Sequence, residues 1–443
     1  MREVVPLGWR DLECFLNSPL RSRFEEEGLI VSTKILSHTR ERTVVEHEKV
    51  PFPSYAFEWA PEMLQEAGSL TLELAERSLE DGFGLKDATT YNVLFRGFRP
   101  IFVDLLSFER RTPGDPIWLP YAQFVRNFLL PLVLDYQFGV SLKNSFFSSR
   151  DGIEPECVYA MSGTVRKLLP PMLTLATIPT LLGLVTRSKS SIYTPRLTQP
   201  EKAQFALRRL YRTIRKQLDW LAKKAVRRES IWTSYEHICP YTFPQAVQKR
   251  NFVESILKHR RPRRVLDIGC NTGTFSLLAG RLGSSVVAID SDPAVVGALW
   301  EKARAENTDI LPLVIDIARP SPAVGWRNLE CQSFLSKCDG HFDLVLLLGI
   351  VHHLLVTERI PLGSFLEFAG DLTTDGLILE YIGPDDPMFR SLLRGRDHLY
   401  EGFNPLAFEQ ACAKRFRILN RVPLDGCGRI LYFLRKTTPA PTC

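Results

Sequence analysis

The segment Val265-Leu-Asp-Ile-Gly-Cys-Asn-Thr-Gly273 limits what this chain can fold into more than any other. It passes from an apolar β pattern through a glycine-punctuated turn into a helical pattern. Glycine allows the tight turn and lets backbone approach a ligand where a Cβ would stand in the way. Four more apolar runs follow, SVVAID, LPLVID, FDLVLLLG and GLILEYI, with helical patterns between them. Strands apolar on both faces and alternating with helices predict a parallel sheet covered on both sides. The last two strand patterns, at 416–422 and 429–434, flank the turn DGCG and predict a closing hairpin.

The chain is longer than such a sheet requires. Its 443 residues are roughly three times the ~150-residue domain expectation. Residues 1–150 mix strand patterns (29–36 and 43–50) with a helix near 60–80 and read as an α+β region. Residues 151–230 read as a helical, basic connector, and 231–443 as the α/β domain. The composition, 45% hydrophobic and 24% charged, excludes a disordered or fibrous chain. Nine cysteines with no CxxC pair argue against a disulfide framework or a metal site and for a reducing, cytoplasmic setting. No basic segment followed by an apolar core opens the sequence. Residues 168–185 are long enough to weigh as a membrane span. Pro170, Pro171 and Pro179 interrupt them, so a buried or interfacial helical region in a soluble protein is expected.

The net charge of +6 is unevenly placed. Residues 201–264 hold 17 Lys and Arg against 5 Asp and Glu, a net +12, which leaves −6 for the remainder. Leu207, Leu210, Ile214, Leu218 and Leu221 have helical spacing there, with arginines and lysines on the other faces. This is either a solvated helix or a surface for an anionic acceptor or partner. Without interleaved exposed aromatics or an RNA motif, nucleic acid is not the expected partner.

Acidic residues downstream of the glycine loop narrow the ligand. Asp290, 21 residues beyond Gly269, ends the second strand, where a carboxylate can accept hydrogen bonds from ribose hydroxyls. Asp316 ends the third, placed for an adenine amino group. The loop spacing is DxGxNxG rather than the GxGxxG of NAD sites. DIGCNTG, AIDSD, LVIDI, FDLVLLLGIVHHL and the terminal hairpin together resemble the class I S-adenosylmethionine-dependent methyltransferases, with a Rossmann-like fold. The resemblance implies that Gly269 and Gly273 shape the pocket for the methionine part of the cofactor. It implies that Asp267 binds the ammonium, directly or through water, that Asp290 takes the ribose diol and that Asp316 meets the adenine edge. Asn271 either stabilises the turn or touches the ligand.

Methyl transfer from a sulfonium depends chiefly on alignment of the nucleophile, with a general base useful for a hydroxyl or protonated amine. His352 and His353 follow the fourth strand at the carboxyl edge of the sheet, where substrates bind. His353 is the preferred base and Glu380, ending the fifth strand, the second candidate; packing or helix capping is the alternative for the histidines. The fourth motif lacks the Asn/Asp-Pro-Pro-aromatic pattern, which argues against DNA-adenine or glutamine methylation. Tyr235, Tyr241 and Lys249 lie where this superfamily often has a helix lidding the cofactor, with ordinary packing the alternative for each.

In the first region, Asp87, Asn92 and Asp104 resemble the catalytic loop and metal strand of kinase-like phosphotransferases. Leu85 stands where a histidine is usual and no glycine-rich phosphate loop is present, so a degenerate kinase-like lobe is expected. VEHEKVPFPSYAFEW, LKDATTYNV, PIFVDLLSFE, PSPAVGWRN and VHHL together resemble the methyltransferase family of NoeA-type nodulation proteins. That resemblance implies modification of a small-molecule, glycan or other non-DNA acceptor in host-specific nodulation. A non-catalytic cofactor-binding scaffold and a phosphotransferase are the competing readings.

Overall fold

The computed structural model describes residues 1–39, 41–186, 197–225 and 241–437. The chain forms two compact units, Met1–Arg228 and Glu229–Cys443.

In the first unit, β1 (Arg2–Val4), β2 (Thr33–His38) and β3 (Thr43–His47) make an antiparallel sheet in the order β1-β3-β2. The pattern at 29–36 is only partly strand. Val31 donates its amide to the Phe102 carbonyl at 3.0 Å, so the apolar start of that run pairs elsewhere. Two small hairpin-like pairs follow: β4 (Phe83–Leu85) with β7 (Phe108–Arg110), and β5 (Val93–Arg96) with β6 (Arg99–Phe102). The helix Pro61–Ser78 opens on proline, whose missing N–H costs nothing at a first turn, and buries Met63, Leu64, Leu70 and Leu74. Gly68 on that helix lets Leu218 and Phe128 approach until an added Cβ would lie 3.2 Å from each. The basic helix Pro200–Ala225 therefore packs as part of this unit, with Leu207, Ile214, Leu218 and Leu221 buried.

In the second unit, seven strands form one sheet: β8 (Arg264–Ile268), β9 (Ser285–Asp290), β10 (Ile310–Val314), β11 (Phe342–Leu347), β12 (Thr373–Tyr381), β13 (Phe416–Pro423) and β14 (Ile430–Lys436). Their order is β10-β9-β8-β11-β12-β14-β13, parallel except for β14, which runs antiparallel to both neighbours. This is the Rossmann-like α/β sheet with the expected closing hairpin. The apolar runs of β8, β9 and β11 are buried on both faces, as parallel strands between helices must be. Order reverses between β8 and β11, which opens a crevice at their carboxyl ends.

Candidate active site at the carboxyl edge of the sheet

The strand order sets Asp316, Asp290, Asp267, His352 and Glu380 on five successive strands or the turns just after them. At ~4.8 Å per strand this row spans about 19 Å. The turn after β8 begins it. Gly269 and Gly273 have φ of 74° and 87°, the left-handed region that favours glycine. A Cβ at Gly269 would lie 2.9 Å from Ile350, and one at Gly273 would collide with Leu299. Asn271 is also left-handed, at φ 48°, and its Oδ1 accepts from the Thr272 amide at 2.6 Å. A turn-stabilising contact is thus present at Asn271.

Asp267 and Asp290 face this turn. Asp267 is buried; its Oδ2 accepts from the Ser276 hydroxyl at 2.6 Å. Burial pushes its pKa up to about 6, with Ser276 opposing. Asp290 accepts from the amides of Asn271 (3.0 Å) and Asp292 (3.1 Å), one on each oxygen. Burial raises its pKa as well. A carboxylate offers about four acceptor positions, so these backbone donors, with Ser291, do not fill Asp290. Neither acid forms an ion pair among the described residues, although a buried carboxylate is costly without a counter-charge. An ammonium beside Asp267 and a vicinal diol beside Asp290 fit these unmet positions.

Asp316 departs from expectation: β10 ends at Val314, two residues earlier. Ile315 still donates to the Asp290 carbonyl at 2.8 Å, after which the Asp316 carboxylate caps the turn through the Ala318 amide (3.0 Å). It also pairs with Arg319 at 2.9 Å.

Glu380 is fully buried and closely partnered. Its Oε2 meets the Lys249 ammonium at 2.8 Å, and its Oε1 accepts from the Tyr241 hydroxyl. Arg429 lies 3.7 Å from Oε1, donates to Tyr241, and holds Asp386 through Nε (2.7 Å) and Nη2 (3.3 Å). Burial pushes the Asp386 carboxyl up, but Arg429 outweighs it and holds the group below the usual range. Two cations and two carboxylates thus balance inside the fold, and burial pushes the Tyr241 hydroxyl well above its ordinary value. Sequence reasoning flagged Tyr241 and Lys249 but missed Arg429 and Asp386. The one available signal was an arginine opening an otherwise apolar last strand. Tyr235 lies outside the described residues.

His352 is 1% exposed, and neither ring nitrogen has a hydrogen-bond partner. Burial drives its pKa down to about 3, with repulsion from His353 and Arg429 adding to this, so it is neutral at pH 7. His353 is half-buried, its pKa lowered by burial, with its ring centroid 4.2 Å from that of His352.

A methyltransferase-domain family profile matches residues 236–400, the stretch that contains every element of this row. The chain is an S-adenosylmethionine-dependent methyltransferase. Over 402 residues, 89% of its length, the methyltransferase is 29% identical to Nodulation protein NoeA of Rhizobium meliloti (strain 1021), and the match takes in 82% of that protein. The NoeA-type resemblance therefore runs through both units. Ribosomal protein L11 methyltransferase of Thermosipho africanus (strain TCF52B) is 29% identical over 123 residues, 27% of this chain and 40% of that one. Among solved structures, the bifunctional kinase-methyltransferase WbdD aligns at a TM-score of 0.33 and 19% identity, over 45% of this chain and 41% of its own. That likeness is too slight to carry an argument. S-adenosylmethionine is the cofactor of the methyltransferase, and when bound it supplies an electrophilic methyl group on a sulfonium.

In the first unit, Asn92 and Asp104, two of the residues resembling a kinase site, are joined through Ser107. Asn92 donates to the Ser107 hydroxyl at 3.1 Å, and Ser107 donates to Asp104 at 2.9 Å. The other Asp104 oxygen pairs with Arg2 at 2.5 Å. Among the described residues no group of three or more His, Cys, Asp or Glu could hold a metal ion.

Proposed function

We propose that the methyltransferase acts on a hydroxyl or amine of a small molecule or glycan, not on DNA. His352 would orient the acceptor and His353 would take its proton. The carrying observation is the buried, neutral His352 with both ring nitrogens unpartnered, just past β11. A buried polar group left without a partner costs about 1–3 kcal/mol, which an acceptor hydroxyl or amine would offset. The half-buried His353 is better able to hold a proton than its neighbour. Glu380, held by Lys249 and Tyr241, would brace this wall of the site. Asp267, Asp290 and Asp316, with the turn Gly269–Asn271–Gly273, would hold the cofactor. Similarity to a protein named for nodulation favours an acceptor that takes part in nodulation.

The test is transfer of labelled methyl from S-adenosylmethionine into extracts fractionated as nucleic acid, protein and glycan plus small molecules. Label is expected in the last fraction and is lost in His353→Gln and reduced in His352→Gln, with cofactor binding retained in both. Label in nucleic acid would refute the acceptor class. Cofactor binding with no labelled product would leave a scaffold.

A further inference from the structure

The basic helix Pro200–Ala225 carries more than a solvated face. Phe205, Arg209, Arg212, Lys216, Trp220 and Lys223 recur three and four residues apart and line one stripe, opposite the buried Leu207, Tyr211, Ile214, Leu218 and Leu221. Phe205 is 69% exposed and Trp220 is 40% exposed, so aromatics near both ends of a cationic stripe face outward. Fifteen residues of helix separate them by about 22 Å. Arg208 and Arg215, beside the stripe, are paired with Glu80 (3.6 Å) and Glu76 (3.1 Å). The described residues place no carboxylate in ion-pair reach of Arg209, Arg212, Lys216 or Lys223.

An apolar tip adjoins this stripe. Trp220 shares a cleft of about 270 Å³ with Arg166, Leu169 and Pro170, and Gln217 donates to the Thr174 hydroxyl at 3.3 Å. The tip presents Val165, Leu168 and Leu169 at 72%, 66% and 53% exposure, flanked by Arg166 and Lys167. It is held in place: Thr177 donates to the Lys167 carbonyl at 2.7 Å, while Met172, Leu175 and Ala176 beneath it are buried. The exposed leucines are therefore surplus to the unit's own core. No helix among the described residues is long and apolar enough to cross a membrane.

We propose that this face of the first unit docks on the surface of a bilayer containing anionic phospholipid. Leu168 and Leu169 would enter the acyl boundary, Trp220 and Phe205 would sit at headgroup depth, and the unpaired cations would meet the lipid phosphates. Interfacial proteins combine these features: an aliphatic insertion, aromatics at the polar boundary, and Lys and Arg on the same side. The aliphatic tip favours a bilayer over single-stranded nucleic acid, which is held by a cationic groove and aromatic stacking.

Sedimentation of the full-length chain with phosphatidylcholine vesicles, with and without phosphatidylglycerol, tests this. Binding is expected only with phosphatidylglycerol and is expected to fall as salt rises. Lys216→Gln combined with Lys223→Gln should weaken it about thirtyfold, near a factor of five for each cation. Leu168→Asp with Leu169→Asp should abolish it while leaving S-adenosylhomocysteine binding and thermal unfolding unchanged. Three outcomes would overturn the proposal. These are no binding to the anionic vesicles at low salt, binding of RNA through the same cations without binding of vesicles, or self-association in solution that the leucine substitutions abolish.

Discussion

The two units surround their acidic residues in opposite ways. In the first, Asp104 has a cation on one oxygen and a hydroxyl on the other, so it is satisfied by Arg2 and Ser107. In the second, Asp267 is buried and Asp290 half-buried, each with neutral donors only, and both are harder to ionise than an ordinary carboxyl. Glu380, a few strands away, shows that the same fold can supply counter-charges when it needs them. A carboxylate kept buried without one stores a cost that a cationic or hydroxyl-bearing ligand relieves.

Four substitutions or conditions test that contrast, beginning with the largest effect. Lys249→Met should destabilise the second unit by about 3–5 kcal/mol, because it removes the nearer of the two cations that balance Glu380 and Asp386 and leaves an uncompensated buried charge. Amides of β12 and β14 would then exchange with solvent at least a hundredfold faster; unchanged exchange would mean the pair is not a brace. Asp290→Ala, next in size, should weaken S-adenosylhomocysteine binding about a hundredfold, through loss of two hydrogen bonds to a charged acceptor. Third, cofactor affinity should rise about tenfold from pH 5 to pH 7, with a midpoint near 6, because Asp267 must ionise to meet an ammonium. Asp267→Asn should flatten that profile. Without ligand the sign reverses. A pKa raised in the fold stabilises the protein fully below about 4, the unfolded value, and that contribution is lost as pH rises through about 6. The smallest effect belongs to Asp104→Ala, which breaks a half-exposed pair worth under about 1 kcal/mol and should leave cofactor affinity untouched.

The contrast also marks what could be read from residue order. The strands of the second unit were readable because burial on both faces leaves no polar alternation, and a glycine turn must follow the first of them. Asp290 fell at its strand end, whereas Asp316 lay two residues beyond, since one more backbone bond and a side-chain cap complete that edge. The ionic cluster was largely hidden: Tyr241 and Arg429 are 188 positions apart and meet only when β14 returns antiparallel beside β12. Phe205 and Trp220 carry helical spacing in the sequence, yet nothing there tells an outward aromatic from an inward one. In the first unit, strands of three to six residues offer too short a pattern to fix their ends, and Leu29–Val31 illustrates how a tertiary pairing takes an apolar run away from its local strand.

On the proposed function, Asp267 and Asp290 of the second unit, and not Asp104 of the first, would hold the cofactor. Calorimetric titration of S-adenosylhomocysteine into full-length protein freed of copurified ligand tests it most directly, on wild type, Asp290→Ala and Asp104→Ala together. Roughly micromolar binding, the ordinary range for a cofactor site, is expected of wild type and Asp104→Ala alike, with Asp290→Ala about a hundredfold weaker. Absence of heat with wild type, undiminished binding by Asp290→Ala, or an equal loss in Asp104→Ala would contradict it.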